Sequence, residues 1–101
     1  MSVIVITKFE VGASKFEQLA NDNRDLLMRI AEDGKSKGAI HHQLVEDTDG
    51  TMFVLDEWES EEAFHAFFDG QKELPRLFEA AGVSSPPTST SYRVLSTPDS
   101  F

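Results

Sequence analysis

Residues 53–64, FVLDEWESEEAF, decide the fold of this chain. Phe53 to Trp58 is a run of apolar and β-branched residues that reads as a strand. Ser60 is a good helix N-cap, and Glu61 and Glu62 follow in the first turn, where carboxylates favour the positive end of the helix dipole. The only tryptophan, Trp58, stands two residues before that cap, at the junction. A strand end beside a helix start is a usual place for a small-molecule pocket.

Upstream, the spacing predicts two short strands, Ala39 to Glu46 and Thr51 to Trp58, around the hairpin-turn sequence Asp47-Thr48-Asp49-Gly50. Val3 to Val11 reads as a first strand, apolar on both faces at its start and therefore central in a sheet. Gly12 and Ala13 break it, and Ser14 with Glu17 forms a capping box that marks a helix start. Phe16, Leu19, Ala20, Leu26, Leu27, Ile30 and Ala31 then recur at helical spacing, and the helix fades between Asp33 and Gly38.

Downstream of Ser60, a second helical region carries Ala63, Phe64, Phe67 and Phe68 and is interrupted at Gly70. It resumes near Glu73 with Pro75 in its first turn, and Leu74, Leu77, Phe78 and Ala81 form the buried stripe. Gly82 ends it, residues 84–87 are a loop, and Thr88 to Leu95 is a last strand. Residues 1–95 thus read as a single domain, and 96–101 as a polar tail, loose unless Phe101 packs on a neighbour. The order strand, helix, strand, strand, helix, strand predicts an α+β fold. It is the ferredoxin-like split βαβ, one antiparallel sheet with both helices on one face.

Composition narrows the function classes. A 101-residue chain with 40% hydrophobic residues and eight phenylalanines has ample material for one core. It has no cysteine, which excludes disulfides, thiolate nucleophiles and cysteine-held metals and fits a reducing compartment. The formal charge of −9 argues against nucleic acid and anionic membrane as partners. Val3 to Ile6 is too short for a signal or spanning segment, so a soluble, cytoplasmic protein is expected.

Alternation assigns the hairpin side chains to two faces. With an even-numbered loop, Ile40, His42, Leu44, Phe53 and Leu55 share a greasy face suited to packing on helices. Ala39, His41, Gln43, Val45, Met52, Val54, Asp56 and Trp58 share the other, whose mixture of apolar walls and a few hydrogen-bonding groups is that of a ligand cavity. A three-residue loop with a bulge exchanges one strand's faces.

His41 with Asp56 is the candidate pair for proton chemistry, because a carboxylate fixes the tautomer of a neighbouring imidazole and prepares it as a base. The plain alternative is a cross-strand salt bridge worth under ~1 kcal/mol. Trp58 is a candidate aromatic wall, or else a core or dimer-interface residue with its indole N–H satisfied. Gln43, Val54, His65, Phe67 and Arg93 are the candidate substrate contacts, with Tyr92 taking the inward place if the last strand alternates oppositely. Adjacent His41 and His42 point to opposite sides of a strand, so no metal site is expected. The glycines form no nucleotide-binding spacing and GxSxG is absent.

The element order, GAIHHQL at residues 38–44 and DEWESEEAFHAFF at residues 56–68 together resemble the antibiotic biosynthesis monooxygenase superfamily, the dimeric α+β barrel proteins. The resemblance implies a homodimer with paired sheets and a pocket in each subunit between sheet and helices. Activities in the family divide three ways: some members oxygenate quinols or polycyclic phenols with dioxygen and no metal, flavin or other cofactor, some degrade haem, and many have no known reaction. Trp58 matches the family's strand-end tryptophan. The haem-degrading branch is not expected. Its tryptophan and histidine positions fall near Phe67 and Leu77, and the first strand has no asparagine. The expectation is a cofactor-independent monooxygenase acting on a small aromatic compound. The alternatives are a non-catalytic homodimeric ligand-binding protein and a remnant of the fold with no specific ligand.

Overall fold

A computed structural model describes residues 2–83 and 85–101. The elements run β1 (Val3–Gly12), α1 (Ala13–Asp22), α2 (Arg24–Ser36), β2 (Ala39–Glu46), β3 (Thr51–Trp58), α3 (Glu61–Gly70), α4 (Leu74–Ala80) and β4 (Thr88–Arg93). The four strands form one antiparallel sheet in the order β2-β3-β1-β4. That is the split βαβ arrangement expected from the element order. None of the described helices is long and apolar enough to cross a membrane.

Several local expectations match the structure. β2 and β3 have the predicted bounds, and the Ser60 hydroxyl accepts from the Ala63 N–H at 3.1 Å to cap α3. α3 stops at Gly70, and α4 resumes behind Glu73 with Pro75 in its first turn. Gly82 follows α4 at φ +88°, the left-handed geometry that a helix terminator needs.

Three local expectations fail. The capping box does not form. β1 runs to Gly12 and α1 begins at once, its Ala13 N–H held by the Gly50 carbonyl at 2.9 Å rather than by a Ser14 cap. The single first helix is two, because the Asn23 amide donates to the Leu19 carbonyl at 2.9 Å and competes with the helical backbone there. The last strand ends at Arg93 rather than Leu95, and Phe101 at the end of the tail is fully exposed. Ser84, first residue of the expected loop, lies outside the described residues.

The hairpin register overturns the expected faces. The Asp47 N–H donates to the Thr51 carbonyl at 3.1 Å, so the turn closes over three residues, 48–50, and the first ladder pair is Glu46 with Met52. A second irregularity falls between Ala39 and His41, where Ile40 is the extra residue. An odd loop exchanges the faces of one strand against the other. Met52, Val54, Asp56 and Trp58 therefore turn towards the helices alongside His42 and Leu44, while Phe53 and Leu55 lie on the bare side with Gln43 and Val45.

The buried residues form two separate clusters under the helices. Phe9, Phe16, Met52, Leu77 and Ala81 pack at one end, and Val5, Trp58 and Phe64 at the other. α2 is tied to the α3–α4 connection by Asp33, whose carboxylate accepts from Lys37 at 3.0 Å and from the Gln71 amide at 3.1 Å.

The Lys37 hydrogen bond, helped by that from Gln71, holds the Asp33 carboxyl below the usual aspartate value. Its folded-state pKa is depressed, so its stabilisation is present above the unfolded value and is lost as pH falls through the folded one. Asp33→Asn should lower the urea midpoint at neutral pH, and the gap to wild type should close below about pH 4. A gap that stays constant down to pH ~3 would show that the charge contributes nothing.

Candidate functional site

Between the two buried clusters the sheet and helices leave a cavity of about 380 Å³. Phe9 and Thr7 of β1 and Val54, Asp56 and Trp58 of β3 form its floor. α2 supplies a wall of Leu27, Ile30, Ala31 and Gly34, and Phe64, Phe67, Phe68 and Phe78 from α3 and α4 supply an aromatic one. The mouth lies along edge strand β2, where Ile40 is 56% exposed and His42 and Leu44 stand between sheet and solvent. The volume is near the lower end of the ~300–1,000 Å³ usual for small-molecule sites, enough for one compact molecule.

The polar groups are few and mostly paired with one another. Thr7 is buried and its hydroxyl shares a 2.9 Å hydrogen bond with that of Ser89. Asp56 is buried and its Oδ1 lies 2.6 Å from His42 Nδ1, with the imidazole 49% exposed at the rim. An ionised Asp56 accepts, so the bonded tautomer carries its proton on Nδ1 and leaves Nε2 free to accept one. Lys35 also borders the rim and pairs with Glu32 at 3.3 Å.

Trp58 is 3% exposed and its ring packs against Phe67 at 5.1 Å and edge-on to Phe64 at 6.0 Å. Its indole Nε1 is the one buried side-chain nitrogen or oxygen among the described residues with no hydrogen-bond partner. Trp58 is thus a cavity wall and a core residue at once, and no described residue supplies an acceptor for its N–H.

The expected His41–Asp56 pair does not form. The three-residue turn sets Asp56 opposite His42 and His41 opposite Glu57. His41 touches the cavity rim, but its ring is 3.2 Å from the Gln43 amide oxygen, and both are exposed. Of the expected substrate contacts, Val54 and Phe67 line the cavity. Gln43 is on the bare face, and His65 is exposed with its ring packed on Phe64. Arg93 shares the helix side of the sheet, beside Val3, but on the outer strand away from the lining; Tyr92 faces the bare side. His42, Thr7 and Gly34 line the cavity without having been expected there. The signal for His42 was present, because Asp at the first and Gly at the fourth turn position mark a type I turn, whose left-handed glycine (Gly50, φ +81°) makes the loop odd.

No family model and no curated protein matches the chain. Solved structures do. SnoaB from Streptomyces nogalater, a cofactor-independent oxygenase determined as a point mutant, aligns over 98% of both chains at 17% identity with TM-score 0.63. Rv0793 from Mycobacterium tuberculosis aligns over 98% of this chain and 100% of its own at 18% identity, TM-score 0.60. A Deinococcus radiodurans protein, a candidate antibiotic biosynthesis monooxygenase, aligns over 100% and 99% at 18% identity, TM-score 0.62. The chain has the antibiotic biosynthesis monooxygenase fold. At these identities the likeness reaches the fold and stops there.

The orphaned indole N–H gives a prediction for this fold. A buried donor without an acceptor costs roughly 1–3 kcal/mol, which offsets the packing lost when a tryptophan is trimmed. Trp58→Phe should therefore fall within about 1 kcal/mol of wild type in urea unfolding followed by circular dichroism. A loss above ~3 kcal/mol would mean that the N–H has an acceptor in solution.

Proposed function

We propose that this chain is a cytoplasmic, homodimeric monooxygenase that oxidises a small aromatic hydroxyl compound with dioxygen and no added cofactor. The observation that carries the reading is the His42–Asp56 hydrogen bond of 2.6 Å at the mouth of a mostly apolar cavity. Support also comes from the shared fold with SnoaB, a cofactor-independent oxygenase.

In this reading the aromatic body lies between the phenylalanine wall and Val54, with its hydroxyl at the rim. His42 Nε2 takes the hydroxyl proton, and Asp56 holds the imidazole through Nδ1 and stabilises the imidazolium. The resulting aryloxide is electron-rich and passes one electron to dioxygen. The substrate radical and superoxide then combine, forming a carbon–oxygen bond. Cleavage of the O–O bond releases water and leaves a quinone: one oxygen atom enters the product, and the other leaves as water with the two hydrogens lost by the substrate. The apolar walls exclude water from the electron-rich anion.

A second reading, a non-catalytic protein that binds a small apolar ligand, is favoured by the 49% exposure of His42, which leaves the proposed base in contact with solvent. Oxygen uptake with a panel of hydroxynaphthalenes and quinols separates the two. Uptake should require the protein and should fall about 10²–10⁴-fold in His42→Ala. Uptake that survives this change would remove His42 as the base; binding with no uptake on any compound would leave the second reading.

The bare side of the sheet carries Ile4, Ile6, Phe53 and Leu55, half-buried, with Val45 and Tyr92 at 40% and 51% exposure. We take a second copy of the chain to cover it. Light scattering should then give twice the 11.3 kDa subunit mass, and Leu55→Lys should give a monomer. A monomeric wild-type protein at micromolar concentration would overturn the dimer.

A further inference from the structure

We infer that Gly34 sets the size of the ligand this cavity accepts, trading stability of α2 for room. The inference rests on the reading of the cavity as a ligand site and adds a specificity-determining residue to it.

Gly34 is buried, lines the cavity and lies in the last turn of α2. Glycine inside a helix is the poorest choice after proline, because the unfolded chain has more freedom to lose. Two structural needs ordinarily justify it, and neither applies. Gly38, Gly50 and Gly82 are the glycines with positive φ among the described residues, so the Gly34 backbone is one that alanine adopts freely. Nor does close approach forbid a side chain. A Cβ at Gly34 would meet the Phe67 ring at 3.5 Å and the Ala39 Cβ at 3.7 Å, ordinary van der Waals contact. Helix propensity and packing both favour alanine here.

What alanine would take is cavity. Of the α2 residues on the lining, Lys35 stands at the rim, while Leu27, Ile30, Ala31 and Gly34 fall at the spacing of one helix face and their side chains shrink towards the C-terminal end of the helix. The space so left lies beside Phe67 and Ala39, next to Trp58 and two ladder steps from the His42–Asp56 pair. A local rule broken with no structural return is the mark of a functional position. The bay at Gly34 is where a ring edge of the ligand sits, and its depth separates larger from smaller aromatic bodies.

The test compares wild type, Gly34→Ala and Gly34→Val for melting temperature and for calorimetric binding of a two-ring phenol (2-naphthol) and a three-ring one (9-phenanthrol). Gly34→Ala should melt higher, by up to ~8 °C. It should weaken 9-phenanthrol about tenfold and leave 2-naphthol within about twofold, with Gly34→Val losing the three-ring compound altogether. A Gly34→Ala chain that melts lower or fails to fold overturns the inference, because the fold itself then needs the glycine. Unchanged affinity of a stabilised variant for both phenols overturns it as well, while leaving the ligand site in place. Wild type that binds neither phenol removes the ligand-site reading and this inference with it.

Discussion

The Asp47 turn determines where everything else in the site stands. Its carboxylate Oδ1 accepts from the Asp49 N–H at 2.9 Å and the Thr51 N–H at 3.0 Å, and its carbonyl accepts from Gly50 at 3.1 Å. Gly50 supplies the left-handed residue that the turn requires. Closed in this way, the hairpin has one available register, and that register sets His42 against Asp56 and Leu44 against Val54 on the helix side. Side chains on a strand alternate with period two, so a turn one residue longer or shorter would send Asp56 and Trp58 to opposite sides of the sheet from His42. The imidazole–carboxylate pair thus depends on a turn in which neither of its members takes part.

This dependence explains which parts of the molecule were legible in the sequence. The bounds of β2 and β3, the Ser60 cap, the Gly70 break and the order of elements follow from local chemistry, and local chemistry is what a sequence displays. The facial assignment is a matter of parity, and a single residue in the turn reverses it. His41 and His42 are adjacent, so the sequence narrows the partner of Asp56 to two neighbours on opposite faces, and only the turn chooses between them. The capping box failed for a related reason. Ser14 and Glu17 have the right spacing, but the sheet carries β1 to Gly12 and the Gly50 carbonyl engages Ala13, so a long-range contact fixes the helix start before the local one can.

The cavity exists because the core is divided. Phe9, Phe16, Met52, Leu77 and Ala81 at one end and Val5, Trp58 and Phe64 at the other would normally meet in one continuous cluster; here the space between them stays open. Interiors ordinarily pack to the density of organic crystals, and an unfilled volume forfeits dispersion contacts along its whole lining. Aromatic side chains limit that loss. The Phe9–Phe78 contact at 4.6 Å and the Trp58–Phe67 contact at 5.1 Å brace the two ends against collapse, because rigid rings cannot fold into the gap as leucine or methionine chains would.

The position of His42 at the rim also bears on turnover. An imidazole that is half-exposed, with its other nitrogen held by a buried carboxylate, has one face towards the ligand space and another towards solvent. In the proposed reaction it would accept the hydroxyl proton from within and return it to the departing oxygen, and the water so formed leaves through the mouth beside it. Asp56 is then the fixed member of the pair, buried and acceptor-only, and it keeps the ring from turning its free nitrogen away from the cavity between cycles.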